Sequence, residues 1–200
     1  MIQIESTRDP FTSPQLAFQA VVALGRADAM GLLPADERID RLDLPSLRRA
    51  VRHIQNAGIA RAIHLGPGNG SLERSLVNLN TALEESPVPQ FEWSRLTEIL
   101  GLDLLGQLLG ISPSSVRRYK AAARTTPDAI AERLHFLSLV VGDLGGAYNE
   151  IGIRQWFGRK RSQLGGRAPS DLLKGSWNIS QTGPQQVRAL GQALLASPAT

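Results

Sequence analysis

The segment LDLLGQLLGISPSSVRRYKA, residues 102–121, combines side chains that could bind a nucleic acid. Residues 112–124 contain four basic residues and no acidic one. An arginine can donate two hydrogen bonds to a guanine edge, while serine hydroxyls and a helix N-terminus can hold phosphate. The pattern therefore predicts contact with double-stranded DNA through six residues: Ser112, Ser114, Ser115, Arg117, Arg118 and Lys120. The alternative is a helical hairpin whose polar face happens to be basic.

Two short helices that cross at a tight turn would have to position these side chains. Gly106 is small enough for the second helix to cross the first, and Gly110 suits a turn with a positive φ. Ser112 and Pro113 are typical of a helix start, as the N-cap and the first helical residue. The apolar residues at the remaining constrained positions predict the buried face of the pair: Leu105, Leu109, Ile111, Val116 and Tyr119. The segment as a whole resembles a helix-turn-helix unit.

Apolar residues recur at helical spacing along the rest of the chain, and the sequence shows no convincing strand alternation. The predicted fold class is therefore all-α, with many helices and short loops. Ser71 and Thr126 are the candidate N-caps of two of these helices. Helices are predicted over residues 14–30, 45–57, 71–84, 92–100, 102–109, 113–123, 127–142, 147–157, 168–174 and 184–195.

The tract EESPVP, residues 84–89, interrupts the helical pattern and is predicted to be a domain boundary. We expect a helical domain without an assigned role, a helix-turn-helix domain and a small C-terminal helical domain, over residues 1–88, 89–146 and 147–200. Charge follows this division, because residues 1–92 carry 9 basic and 11 acidic residues, whereas residues 93–200 carry 13 and 7. A polyanionic partner is therefore expected for the second half of the chain.

Composition excludes several classes of site. Hydrophobic residues make up 42% of the chain and charged residues 20%, which is typical of a globular protein with a core. The chain has no cysteine, so disulfides, thiolate metal sites and cysteine nucleophiles are excluded. Three scattered histidines do not suggest a metal site. No apolar run is long enough to span a membrane, and the first residues lack the features of a signal peptide, so we expect a cytoplasmic protein.

The last part of the chain carries a second pattern, made of aromatic, glycine and leucine residues. It consists of WF at 156–157, QLGGRAPSDLL at 163–173 and GPQQV at 183–187, followed by Leu190 and Leu194. This pattern resembles the toxin-binding domain of the MbcA/ParS/Xre antitoxins, a family that also carries an Xre-type helix-turn-helix just upstream. The resemblance covers residues 90–200, so residues 1–88 are an addition to the family's usual length.

The core of this pattern also has a physical interpretation of its own. Gly165 and Gly166 permit a turn that a Cβ would block, and Pro169 can open a helix. Leu172 would dock that helix, and Trp156 would be a large buried anchor. These residues are therefore expected to hold a small helical domain together. Partner contacts are expected from the exposed residues of that domain.

The resemblance implies a specific partner and two activities. Antitoxins of this family neutralise RES-domain toxins, which deplete NAD⁺, and their C-terminal end blocks the toxin's active-site entrance. On this chain the expected plug is residues 194–200. The expected toxin contacts are Arg159, Lys160, Arg161, Arg167, Leu194, Leu195, Ser197 and Thr200. The helix-turn-helix is expected to bind the operon's double-stranded operator as a homodimer and to repress transcription.

Enzymatic interpretations are weaker, and we expect no catalytic residue, metal or cofactor. The glycine-rich run HLGPGNG, residues 64–70, would cradle phosphate only between a strand and a helix, and here it is predicted to join two helices. Glu84 and Glu85 are interpreted as part of a solvated linker, and His135 as part of a helix flank. The alternative to an antitoxin is a stand-alone helix-turn-helix regulator whose residues 1–88 sense a ligand or dimerise.

Overall fold

The structure, a computed structural model, describes residues 4–66 and 68–196 and is mostly helical. The all-α prediction is confirmed. The helices are α1 (Pro14–Ala29), α2 (Leu44–Asn56), α3 (Asn69–Glu84), α4 (Pro89–Leu100), α5 (Leu102–Leu109), α6 (Pro113–Lys120), α7 (Asp128–Leu144), α8 (Glu150–Gly158), α9 (Pro169–Leu172) and α10 (Thr182–Ala196). A short 3-10 turn, Ser162–Leu164, lies between α8 and α9.

A pair of very short strands was not predicted from the sequence. β1 (Ser6–Thr7) pairs in parallel with β2 (Arg41–Leu42), and the partners are Ser6 with Arg41 and Thr7 with Leu42. Two residues are too few to show a period-two pattern, so alternation could not reveal them. The pairing holds the segment before α1 against the segment before α2.

Two of the predicted helix N-caps are wrong. Ser71 does not cap α3, because the helix begins at Asn69 and the Ser71 hydroxyl donates to the carbonyl of Gly68 at 2.7 Å. Thr126 does not cap α7 either, since its hydroxyl accepts a 2.9 Å hydrogen bond from the indole of Trp93. In both cases the serine or threonine side chain has a different hydrogen-bond partner from the helix N–H that was expected.

Apolar side chains form two hydrophobic cores that meet along α1 and α7. The first core is formed mainly by α1, α2 and α3, and the second by α4 to α10. Leu139 of α7 belongs to the first core, while Ala29 of α1 belongs to the second. The second core takes residues from both 89–146 and 147–200, so these two stretches pack around shared apolar side chains.

The crossing of α1 and α7 brings their backbones into direct contact. A Cβ added at Gly142 would lie 2.7 Å from the Cα of Arg26, and one added at Gly25 would lie 2.8 Å from the carbonyl oxygen of Gly142. Only glycine fits at these two positions, because any side chain would force the helices apart. Next to this contact, Arg26 donates to Asp143 at 3.1 Å with both side chains buried.

None of the helices in the described ranges is long and apolar enough to cross a membrane.

Replacing Gly142 with alanine should lower the free energy of unfolding by about 1–3 kcal/mol, the usual cost of overpacking. The added Cβ meets the backbone of α1, which cannot move aside without opening the helix crossing. Urea denaturation measures the change.

The matched control is Gly158→Ala. Gly158 ends α8, and a Cβ there has no neighbour within 4 Å, so the unfolding free energy should stay within about 1 kcal/mol of the parent protein. A parental stability for Gly142→Ala would contradict the close approach of α1 and α7.

Candidate functional site

The crossing of α5 and α6 depends on a glycine. Gly106 is buried in α5, and a Cβ there would lie 2.9 Å from the carbonyl oxygen of Ile111, in the turn that leads into α6. The Ile111 N–H donates to the Gly106 carbonyl at 2.9 Å. A side chain at position 106 would therefore push the turn away and change the angle at which α6 leaves α5.

The turn between α5 and α6 is fixed at two further points. Gly110 has a φ of 70°, in the left-handed region that favours glycine. Ser112 is the N-cap of α6, and its hydroxyl accepts from the Ser115 N–H at 3.2 Å. Pro113 follows as the first helical residue, so the predicted start of α6 is confirmed.

α6 has a buried face and a basic face. Val116 and Tyr119 are buried, and the Tyr119 ring stacks on Trp93 of α4 with ring centroids 5.4 Å apart. On the other side Arg117 and Arg118 are exposed. Of the six predicted DNA contacts, Ser115 is half-buried. The other five are exposed: Ser112, Ser114, Arg117, Arg118 and Lys120.

This arrangement can bind phosphate and can reach a base edge. The hydroxyls of Ser114 and Ser115 lie 2.9 and 3.0 Å from the Ser112 hydroxyl, so three hydroxyl groups cluster at the N-terminal end of α6. A helix N-terminus attracts anions, and the exposed guanidinium groups of Arg117 and Arg118 follow on the same short helix. We call the six predicted DNA contacts the α6 surface. It therefore has hydroxyl groups at the N-terminal end of α6 and cationic side chains along the rest of the helix.

The predicted toxin contacts fall into different environments. Arg159, Lys160 and Arg167 are exposed. Arg161 instead lies over the ring of the buried Trp156, with its guanidinium carbon 5.7 Å from the ring centroid. Arg161 therefore packs on the core in addition to carrying a charge.

The turn between the 3-10 helix and α9 depends on backbone conformation. Gly165 and Gly166 have φ angles of 64° and 79°, whereas a Cβ at either position would meet no atom within 4 Å. The glycines are required by the positive φ and not by a shortage of space. After them, the Ala168 N–H donates to the carboxylate of Asp171 at 2.9 Å, which fixes the start of α9 at Pro169.

The C-terminal members of the predicted toxin site are only partly described. Leu194 and Leu195 are half-buried near the end of α10, and Leu194 packs against the second core. Ser197 and Thr200 lie outside the described residues. Leu194 therefore contributes to the fold, and a free plug could begin only after it.

A cluster of four charged residues links the two halves of the chain, and sequence reasoning missed it. Asp143 of α7 pairs with Arg26 of α1 at 3.1 Å and with Arg188 of α10 at 3.0 Å. Glu84, the last residue of α3, pairs with the same two arginines at 3.5 and 2.7 Å. The charges balance, while burial raises the pKa of Asp143 and lowers that of Arg188.

The expectation that Glu84 belongs to a solvated linker is wrong in part. Its side chain is 43% exposed, yet it ends α3 and accepts from Arg188. Glu85, in contrast, is exposed in the loop that follows.

His135 lies within a helix, α7, as expected, but it is buried and has two hydrogen-bond partners that the sequence did not indicate. Its Nδ1 lies 2.6 Å from a carboxylate oxygen of Glu92, and its Nε2 lies 2.9 Å from the Glu84 carbonyl. Glu92 is completely buried, and burial raises its pKa despite its hydrogen bond with His135. The signal in the sequence is the mostly apolar run LHFLSLVVGDL, residues 134–144, which surrounds His135.

No group of metal-ligating side chains occurs among the described residues. Comparisons with protein-family models, with curated proteins and with solved structures found no match to this chain. The function is therefore inferred from the α6 surface and from residues 147–200, called the C-terminal segment.

Replacing Glu92 with glutamine should make stability less dependent on pH. A carboxyl whose pKa is raised in the native state stabilises the fold at low pH, and this stabilisation is lost as the pH rises above 4.5, its ordinary value. Glutamine imitates the protonated carboxyl, so the decline in unfolding free energy towards high pH should be shallower. Asp143, whose pKa is also raised, should leave a residual slope of the same sign.

Urea denaturation over a series of pH values measures this slope. Glu85→Gln is the matched control, because Glu85 is exposed, and its slope should equal that of the parent protein. An unchanged slope in Glu92→Gln would mean that Glu92 carries no extra proton in the native state.

Proposed function

We propose that this protein is a DNA-binding antitoxin of the MbcA/ParS/Xre type, without enzymatic activity. In this proposal the α6 surface binds the operator of the operon that encodes it, and the C-terminal segment neutralises a RES-domain toxin in the cytoplasm. The two activities use different parts of the chain, so they can be tested separately.

The observation that carries the DNA-binding part is the exposed basic face of a short, capped helix. α6 begins at a serine cap and leaves α5 at an angle set by Gly106. Its buried side is anchored on α4 through Tyr119 and Trp93, so its outer side is held rigidly. A helix presented in this way can enter a major groove, with arginines at base edges or phosphates and hydroxyls at phosphates. A homodimer would present two such helices to an inverted repeat.

The toxin-binding part is supported by the order of motifs in residues 156–194 and by what that segment displays. Trp156, Leu164 and Leu173 are buried, so the motif builds a core, while Arg159, Lys160 and Arg167 remain exposed around it. Arginine is enriched in protein–protein interfaces and polar side chains form their rims, so this display supports contact with a protein partner. The proposed plug is the end of the chain beyond α10.

A second candidate function, a stand-alone regulator with a sensing part, is favoured by one cavity. It has a volume of about 630 Å³ and lies between α1 and the loop that joins α7 to α8. Val21 and Leu24 line one side, and Tyr148 lies on the other. A cavity of this volume is within the range that binds small molecules. Recovery of the chain without a protein partner would favour this function over the antitoxin.

Replacing both Arg117 and Arg118 with alanine should weaken DNA binding and make it less sensitive to salt. The slope of log Kobs against log salt should fall in magnitude by about 0.9 for each phosphate that the variant no longer neutralises. Fluorescence anisotropy with the operon's own promoter duplex, over a series of KCl concentrations, measures both quantities.

The control pairs two exposed arginines outside the α6 surface, in the double variant Arg52→Ala/Arg61→Ala. It removes the same charge from the first half of the chain and should keep the parental slope. If the two double variants reduce affinity equally, binding follows net charge and the α6 surface is not the interface.

Deleting residues 197–200 should release the toxin while leaving DNA binding intact. The deletion spares Leu194, which packs against the second core, so the fold of α10 is retained. NAD⁺ consumption by the co-expressed partner toxin measures release, and anisotropy on the promoter duplex is the control. Full inhibition by the shortened chain would exclude the plug and place neutralisation on the exposed charges of the C-terminal segment.

A further inference from the structure

The cavity of about 630 Å³ between α1 and the loop that joins α7 to α8 lies where the two hydrophobic cores meet. Val21 and Leu24 form the wall on the side of the first core, and Ile4 adds a further apolar side chain there. Tyr148 lines the opposite side and packs against the second core. Small-molecule sites are concave and mostly apolar, so this cavity could hold the apolar part of a ligand between the two cores.

The wall formed by the loop is fixed by contacts within the chain. The N–H groups of Ala147 and Tyr148 both donate to the Leu144 carbonyl at 3.0 Å. The Asn149 side chain accepts from the Gly152 N–H at 2.9 Å, and a Cβ added at Gly152 would lie 3.0 Å from the Tyr148 ring. The loop and the ring are therefore held in position, so the cavity is preformed, as most small-molecule sites are.

One end of the cavity is acidic. Among the described residues that line it, none is basic and two are acidic, namely Asp28 and Glu150. Arg95 of α4, which is outside this lining, pairs with Asp28 at 3.2 Å and with Glu150 at 3.5 Å. The two carboxylates therefore lie close together, since a single guanidinium reaches both. Arg95 also pairs with Glu98 at 3.3 Å, so Glu150 shares this guanidinium with two other carboxylates and is the farthest of the three from it.

Two helix ends add to the negative potential at this place. α1 ends one residue after Asp28, and α7 ends one residue before the lining residue Gly145. The C-terminal end of a helix carries a partial negative charge, which favours a cation nearby. α8 also begins here, but Asn149 caps it and its first residue, Glu150, supplies a carboxylate. The end of the cavity that contains Glu150 is therefore suited to a cation.

We propose that this cavity binds a small organic cation, with its apolar part between Val21, Leu24 and Tyr148 and its ammonium group against Glu150. The apolar walls would supply most of the affinity, and the carboxylate would select the charge. This inference rests on the second candidate function, which it deepens by naming the class of ligand. Binding itself requires neither the toxin nor the α6 surface.

Three probes with nearly the same apolar body test the charge: 4-phenylbutylamine, 4-phenylbutanol and 4-phenylbutyrate. Each is titrated into the isotope-labelled full-length protein, and the NMR shifts of the backbone amides of residues 145–147 report binding at the cavity. The amine should shift these amides and bind about two to five times more tightly than the alcohol, the factor expected of one partly exposed ion pair. The carboxylate probe should bind more weakly than the alcohol.

Four variants locate the site. Glu150→Gln should remove the preference for the amine over the alcohol. Glu98→Gln is its matched control and should keep the preference, because Glu98 also pairs with Arg95 but does not line the cavity. Val21→Trp should fill the cavity and abolish the shifts, whereas Val77→Trp, at an exposed position of α3, should leave them unchanged. If Val21→Trp does not fold, the two glutamine variants, which change partly exposed side chains, decide the question.

The outcomes separate the ligand class from the sensing function. No shift at residues 145–147 with the amine would overturn the proposal. Equal affinities for the amine and the alcohol, both lost in Val21→Trp, would overturn the cationic ligand and leave the cavity available for sensing a neutral one. Anisotropy on the promoter duplex, with and without saturating amine, tests sensing, which predicts a changed DNA affinity. An unchanged DNA affinity with the amine bound would exclude sensing and leave the cation site standing.

Discussion

The close crossing of α1 and α7 is the constraint on which the rest of the structure depends. Gly25 and Gly142 let the two backbones touch, and the pair Arg26–Asp143 lies beside this contact with both side chains buried. Burying such a pair stabilises little by itself, but leaving one partner unpaired costs about 3–5 kcal/mol. The crossing therefore holds α1 and α7 at one separation, because a shift would pull the buried Asp143 carboxylate away from one of its two arginines.

Residues 1–88 are tied to the C-terminal helix through this crossing. Arg188 of α10 joins the cluster by pairing with Asp143 and with Glu84, the last residue of α3. The Glu84 carbonyl also faces His135, whose other ring nitrogen faces the buried Glu92 at the start of α4. Helices from both halves of the chain therefore meet at one set of charges. Residues 1–88 accordingly contact α10 through Glu84 and do not form a separate appendage.

The helices could be predicted from the sequence, whereas the charge clusters could not. Apolar residues at helical spacing, with proline at helix starts, indicate where helices lie, because both signals are local. The buried ion pair between Arg26 and Asp143 joins residues 117 positions apart, and no local pattern marks either of them. The α6 surface was predictable because its residues are adjacent in the sequence. A hydroxyl before a helix does not by itself make a cap: that of Ser112 caps α6, whereas that of Thr126 accepts from Trp93, on another helix.

The turn into α6 is in contact with α5 on one side and with the loop after α9 on the other. These contacts connect the proposed DNA-binding helix with the segment proposed to bind the toxin. Gly106 sets the turn against α5, while Gly110 sets it against Gly175 of the loop after α9. That loop is fixed by Arg133 and Trp177, so α6 cannot tilt without disturbing the C-terminal segment. A partner that moved the segment would have to open these contacts, and the N-terminal end of α6 would move with them. The position of the basic helix is thus a property of the whole second core and not of the α5–α6 pair alone.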